Sequence, residues 1–385
     1  MIYLDNAAST PVHEKVLEEM LPYFKEQYGN PSSIHKYGRQ ASTAIQIAKK
    51  RISDLINAEP REILITSGGT ESNNTALYGI TYQGKGNHII TASIEHDAIL
   101  EPCKQLEKEG FRLTYLPVDK YGLVNPEDVK REITDYTCLV SIMFANNEVG
   151  TIQPIREIAK IVHEKNIPLH TDAVQAVGKI PIDVKHLNVD LMSISSHKIN
   201  GPKGVGALYI RKGLKIHPLI LGGGQENGLR SGTENVASIV GFGKACQLAK
   251  ENMEQNQEHF RRLATKLALG ILQEISYVTL NGHPEKRIPN NTHFTFLGIN
   301  GEDLIIKLDE NGIAASTGSA CSVRVQKASH VLKAMGFSHE QISGSLRLTI
   351  GIFNTEKEIE DTIQILKKVV NGLRAVSPYK EKYNF

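Results

Sequence analysis

The sequence predicts an α/β fold built on a mostly parallel sheet, followed by a smaller α+β domain. Seven short runs, at 62–66, 87–91, 112–116, 137–143, 167–171, 190–195 and 206–210, are rich in β-branched residues and apolar nearly throughout, the pattern of strands buried on both faces. Amphipathic segments separate them, and such alternation builds parallel sheets with crossover helices. After about Glu234 the pattern changes to Ala-, Leu-, Lys- and Glu-rich sequence that runs to Ile275. A length of 385 residues suits two domains.

The segment 154–165 shows one crossover helix: Ile155, Ile158, Ala159 and Val162 recur at i, i+3, i+4 and i+7 behind Pro154, a residue suited to a helix start. The stretch from Glu234 to Ile275 exceeds a typical helix. It predicts one long linking helix, or two with a break near Asn252, leading out of the first domain. From about Asn256, strand patterns at 293–296 and 346–350 mix with helices. Thr355 and Glu358 form a capping-box pattern, followed by Ile359, Ile363, Leu366 and Val370 on one face, with Gly372 as the expected stop. Residues 377–385 are expected to fray. No internal repeat or low-complexity stretch is present.

Composition narrows the function classes. Hydrophobic residues at 40% and charged residues at 22% are those of a soluble globular chain, and no window reaches the ~18 uninterrupted apolar residues of a membrane span. A formal net charge of +2, without runs of like charge, offers no nucleic-acid surface. Cys103, Cys138, Cys246 and Cys321 are far apart and form no C-x-x-C, so neither a disulfide framework nor a thiolate metal site is expected. The start, Met1 to Asp5, has no basic leader or apolar core for export, and a reducing, cytoplasmic setting is the expectation.

Three strand ends carry candidate chemistry. The run 62–66 leads into Ser67, Gly68, Gly69 and Thr70, where unpaired amides at a helix start would favour a phosphate; a plain turn with Thr70 as N-cap accounts for the same residues equally well. No Lys-Ser or Lys-Thr closes it as a Walker A loop. Ser195, His197 and Lys198 end another run inside a glycine-rich turn, where a desolvated amine could form a Schiff base with a carbonyl. His170, Thr171, Asp172 and Gln175 end a third, where the acid could pair with a protonated ring nitrogen and Gln175 with a ring substituent. Singly, Lys198 is a solvated turn lysine and Asp172 a helix cap more often than anything else. Together they offer a phosphate cradle, an amine for an aldehyde and a carboxylate for a pyridinium, the three requirements of pyridoxal phosphate.

Cys321 lies among small residues, 316–322, without periodicity, whereas Cys103 and Cys246 sit in helical patterns and Cys138 in a strand pattern. Free cysteines are mostly inert buried hydrophobes, but Arg324 and Lys327 would favour a thiolate at Cys321. His96 follows another strand and could stack on a ring or shuttle protons, or be an ordinary hydrogen-bonded histidine. No histidine spacing supports metal catalysis.

On these motifs the chain resembles the cysteine desulfurases, class V aminotransferase relatives among the fold-type I pyridoxal phosphate enzymes, in their long-loop branch. The matching stretches are YLDNAASTP at 3–11, GNPSS at 29–33, TSGGTESN at 66–73, EH at 95–96, NNEVG at 146–150, TDAVQ at 171–175, SSHKINGPKG at 195–204, RSGT at 230–233, GSAC at 318–321 and LR at 346–347. Two departures are Ser196, where many members carry glycine, and the lack of the usual Glu-Pro before Ser329.

The resemblance implies a large cofactor-binding domain over 15–255, and a small domain from 1–14 and 256–385 that carries the catalytic cysteine. It implies Lys198 as the amine that bears pyridoxal 5′-phosphate, Asp172 on its pyridine nitrogen, Gln175 on its phenolic oxygen and His96 over its ring. Gly69, Thr70, Ser195 and His197 would hold the phosphate, joined by Thr233 from the other subunit of a homodimer. Asn147 and Arg347 would take the carboxylate of L-cysteine, and Cys321 its sulfur, leaving alanine and a protein persulfide for an iron–sulfur scaffold or another sulfur acceptor. Selenocysteine lyase chemistry on the same scaffold and a catalytically silent interaction protein are the alternatives.

Overall fold

The computed structural model describes residues 1–318 and 328–383. Its strands are β1 (Ile2–Tyr3), β2 (Ile63–Thr66), β3 (His88–Ala92), β4 (Arg112–Leu116), β5 (Thr137–Ser141), β6 (Leu169–Asp172), β7 (Leu191–Ser195), β8 (Gly206–Ile210), β9 (Val278–Leu280), β10 (Asn291–Phe296), β11 (Ile313–Ala314) and β12 (Ser345–Thr349). The expected seven strands form one seven-stranded sheet in the order β2-β8-β7-β6-β5-β3-β4. Only β8 runs against its neighbours. The other six strands therefore end on one edge, and β8 starts there.

Why these runs are apolar throughout is visible in where alternate residues go. Ile63, Ile65, Ile90, Val140, Met192 and Ile194 enter the core on one face of the sheet. Leu64, Ile89, Leu139 and Leu191, their neighbours in sequence, enter the core on the other. Strand β4 departs from the expectation: as the outermost strand it has one neighbour, and Arg112 is exposed.

The crossover helix Ile155–His163 starts behind Pro154 and buries Ile155, Ile158, Ala159 and Val162. Of the two alternatives for 234–275, the structure has two helices, Val236–Glu251 and Met253–Glu274, broken at Asn252. There the Asn252 side chain donates to Leu248 O, competing with the backbone for the helix's last carbonyls.

A separate apolar cluster joins Leu4 to Phe294, Phe296, Leu346 and Leu348, under the helices Met253–Glu274 and Glu356–Ala375. Its sheets are β12-β10-β9, antiparallel, and the parallel pair β1-β11. The capping box at Thr355 and Glu358 is present, but Gly372 does not end its helix, which continues to Ala375. Arg374 explains the extension: it is buried and donates to Leu297 O, Ser276 O and Tyr277 O, contacts that require one more helical turn. The expected fraying is also corrected through Tyr383, since Ser377 donates to Gly298 O, and Lys382 and Tyr383 both reach Glu340.

Candidate active site

At the common strand edge lies a cavity of about 610 Å³, lined by Gly69, Thr70, His96, Asn147, Asp172, Gln175, Ser195, His197, Lys198 and Arg347 among others. One cavity thus gathers residues spread over most of the chain. A smaller adjoining cavity is walled by Ser67 to Glu71, Ser195, His197 and Lys203.

The loop after β2 turns at Gly68, whose φ of 154° is a conformation reserved for glycine. Gly206 on β8 lies directly beneath, where a Cβ would come within 2.7 Å of Gly68 Cα. The helix Gly69–Thr81 starts there with Gly68 at its N-cap, so the alternative of Thr70 as N-cap does not hold. Its first-turn amides have no carbonyl partner within the helix and form the positive end of its dipole.

Asp172 ends β6 and is buried; its Oδ2 accepts from Asn73 at 2.7 Å and its Oδ1 from the Val174 amide at 3.0 Å. Gln175 donates to Ala7 O at 3.0 Å and accepts from Lys179 at 2.9 Å. Lys198 sits in the tight turn Ser196–Lys198 after β7, with Nζ 2.6 Å from Ala7 O and 2.8 Å from Ala8 O. The N-terminal segment therefore forms part of the wall. His197 Nδ1 stands 3.2 Å from Ser9 Oγ. Burial, with Lys198 and Lys203 nearby, pushes His197 down to about 4, so it is neutral at neutral pH.

His96 caps the helix Asp97–Lys108 through Nδ1, which accepts from the Ala98 amide at 3.0 Å. That contact settles the tautomer: Nε2 carries the proton of the neutral ring. The preceding Glu95 is completely buried, accepts from Met143 N at 2.7 Å, and burial raises its carboxyl well above the usual range.

Arg347 comes from the middle of β12 and is 2% exposed. It donates to Asp5 Oδ1 at 2.8 Å, Asn147 O at 2.8 Å and Gly318 O at 3.1 Å, while its Nε finds no partner among the described residues. Glu148 beside it is buried, accepts from Ser329 at 2.6 Å, and burial raises its carboxyl.

Thr233 does not reach this cavity: it is exposed and lines another, with Ser67, Gly204 and Arg230. Cys321, with Arg324 and Lys327, lies outside the described residues. The other three cysteines are free and buried, Cys103 and Cys246 in helices and Cys138 in β5; burial pushes Cys103 up to about 12 and Cys138 up to about 11, and raises Cys246 too. Sequence reasoning did not single out Asn73, Glu148 or Lys179. Asn73 lay within a matched motif, four residues from Gly69 on one helix face, and that spacing was the available signal. Among the described residues no group of three or more His, Cys, Asp or Glu could hold a metal ion, and no helix is long and apolar enough to cross a membrane.

The model of the family described as aminotransferase class-V matches residues 2–361. Cysteine desulfurase IscS of Clostridium botulinum is 53% identical over 386 aligned positions, covering 99% of this chain and 97% of the relative. The chain belongs to the class-V aminotransferase family and, within it, to the cysteine desulfurases. A solved NifS-like protein superposes with a TM-score of 0.91 at 40% identity, covering 97% of this chain and all of the other. SspA, solved in complex with cysteine, is 37% identical with a TM-score of 0.81, covering 92% of this chain and 100% of its own. The architecture is that of the fold-type I enzymes, and this cysteine desulfurase is a sulfur-transferring enzyme acting on L-cysteine.

Proposed function

We propose that the cavity binds pyridoxal 5′-phosphate on Lys198, and that Cys321 takes the sulfur of L-cysteine as a persulfide. The observation that carries this reading is the convergence of an amine, Lys198, a buried carboxylate, Asp172, and a glycine-opened helix start, Gly68 to Thr70, on one cavity. The donor set fits the cofactor: first-turn amides, Thr70, Ser195 and neutral His197 for the phosphate, Asp172 for the ring nitrogen, Gln175 for the phenolic oxygen and His96 for the ring face. When bound, the cofactor supplies an aldehyde for amines and an electron sink for the bond-breaking step.

The remaining work falls to this chain's side chains. Arg347 and Asn147, both on the cavity lining, orient the substrate carboxylate. Lys198, as a free amine, moves the α-proton. The Cys321 thiolate then forms an S–S bond as the substrate's Cβ–S bond breaks, the bonding pair returning to the carbon skeleton. The net exchange balances: protein thiol plus cysteine gives protein persulfide plus alanine. Burial of the other three cysteines, with their raised thiols, supports Cys321 as the nucleophile.

We infer a homodimer in which the partner brings its Thr233 to the phosphate. Support comes from exposed apolar residues at Leu17, Leu21, Phe24 and Ile34, and at Leu221 close to the Ile220–Arg230 bridge. The division into a large domain, 15–255, and a small one, 1–14 with 256–385, agrees with the separate apolar cluster that includes Leu4. A cytoplasmic setting and an iron–sulfur scaffold or other acceptor complete the reading.

Cys321→Ser tests it. The variant is expected to bind the cofactor and cysteine but to lower sulfide and alanine formation to near background. In the wild type, mass spectrometry after cysteine turnover should place the persulfide on Cys321. Undiminished turnover by the variant would remove the nucleophile assignment, and a strong preference for selenocysteine over cysteine would favour the lyase alternative.

A further inference from the structure

Lys179 stands behind the cavity wall, 3% exposed, and takes no part in the chemistry above. Its backbone turns at Gly178, where φ is 75° and a Cβ would fall 2.6 Å from Ile199 Cγ2, so the chain folds tightly against Ile199 and sends Lys179 inward. Gln257 on the helix Met253–Glu274 holds that backbone by donating to Lys179 O at 3.1 Å. Among the described residues no carboxylate pairs with the buried amine; its hydrogen bond is to Gln175 Oε1, at 2.9 Å. Burying an ammonium without a carboxylate is costly, and an apolar side chain would pack there without that cost. Burial, reinforced by the positive charges of Lys198 and Arg347, pushes Lys179 down to about 7.

We propose that Lys179 is a positioning residue that locks the orientation of the Gln175 amide, so that its N–H2 edge faces Ala7 O and the cavity. This rests on the reading of Gln175 as the partner of the cofactor's phenolic oxygen. The two neighbours of the amide agree on one orientation. Ala7 O can only accept and Lys179 in its ammonium form, held below about pH 7, can only donate, so there a flipped amide would set donor against donor and oxygen against oxygen. One N–H of Gln175 goes to Ala7 O and the second remains for a ligand oxygen. Lys198 shares the same Ala7 carbonyl, so the lock lies one hydrogen bond from the cofactor-bearing amine.

The test loads Lys179→Met, Gln175→Met and the double variant with pyridoxal 5′-phosphate and follows the visible absorbance of each against pH. A donor on the phenolic oxygen stabilises its anion and so weakens proton binding beside it; losing the donor raises the midpoint. Lys179→Met should raise it by about one pH unit. Gln175→Met should raise it at least as much, and the double variant no more than Gln175→Met alone. An unmoved midpoint in Lys179→Met beside a shifted one in Gln175→Met overturns the proposal, as does an equal further shift when Lys179→Met is added to Gln175→Met. An unmoved midpoint in Gln175→Met instead removes the reading of Gln175, and the proposal with it. If Lys179→Met does not retain cofactor, Lys179→Gln, which loses the charge and one bond of reach but keeps a polar head, is measured in its place with the same upward shift expected.

Discussion

The strand-end wall of the cavity and the wall supplied by β12 are built by opposite means. On the first, Asp172 and Ser195 end parallel strands and His197 and Lys198 directly follow one, so each side chain is placed by its strand. On the second, Arg347 projects from mid-strand in an antiparallel sheet and is held by Asp5 Oδ1, 342 residues away in sequence, and by the carbonyls of Asn147 and Gly318. The first wall sits on strand ends, with Gln175 and Lys198 also reaching Ala7 O of the N-terminal segment. The second exists only once the two ends of the chain have met, and the antiparallel sheet behind it is packed in its own apolar cluster. The proposed cofactor site thus lies mainly on strand ends, and the proposed substrate recognition on the wall that depends on closure between the two ends of the chain.

Removing the guanidinium should separate the two walls most strongly. Arg347→Ala is expected to lower kcat/KM for cysteine by about 10- to 100-fold, mainly through KM, because a charge-assisted pair is lost. The visible spectrum of the bound cofactor should change little by comparison, since the hydrogen bonds of Arg347 go to Asp5, Asn147 and Gly318 and its charge acts on that wall only from a distance. A strongly changed spectrum would mean that the walls are not independent.

A smaller effect is expected under the first wall. His170 is completely buried between Ser141 and Ser193, and burial pushes it down to about 3 from an ordinary 6.5. The unfolded chain therefore binds the extra proton first, so the stability His170 contributes is full above pH 6.5 and is lost as pH falls from there toward about 3. His170→Asn should flatten that part of the decline in urea-unfolding free energy. An unchanged slope would place the acid sensitivity elsewhere, for example on His293 in β10, also pushed down to about 3 by burial.

The smallest effect belongs to the separate cluster. Gly372 lies inside the helix Glu356–Ala375, where an added Cβ meets nothing within 4 Å. Gly372→Ala should stabilise the protein by roughly 0.5–1 kcal/mol in chemical unfolding and leave turnover untouched. A loss of stability would show that the helix needs glycine there.

The same contrast explains how much was legible in the sequence. Strands buried on both faces have a one-dimensional signature, and so does a strand end that runs into glycines; these yielded the sheet and the residues of the first wall. The excess of length over a normal helix left one helix or two open, and the break at Asn252 is decided only by the structure. The stop at Gly372 was misread because a glycine signals a helix end only when nothing beyond it must be placed, and Arg374 has three carbonyls to reach. Arg347 carries no local signal, and only the family resemblance pointed to it. Lys179 and Asn73 were missed because a buried lysine and a polar helix residue look, in sequence, like surface residues; burial against Gln175 and Asp172 is a tertiary fact.

The proposed attachment of the cofactor to Lys198 is central. Borohydride reduction of the loaded enzyme, followed by digestion and mass spectrometry, is predicted to place the pyridoxyl group on the peptide containing Lys198, and Lys198→Ala should abolish that product while leaving the fold intact. A pyridoxyl group found on Lys179 or Lys203 of the unaltered protein would contradict the assignment of the strand-end turn as the anchor.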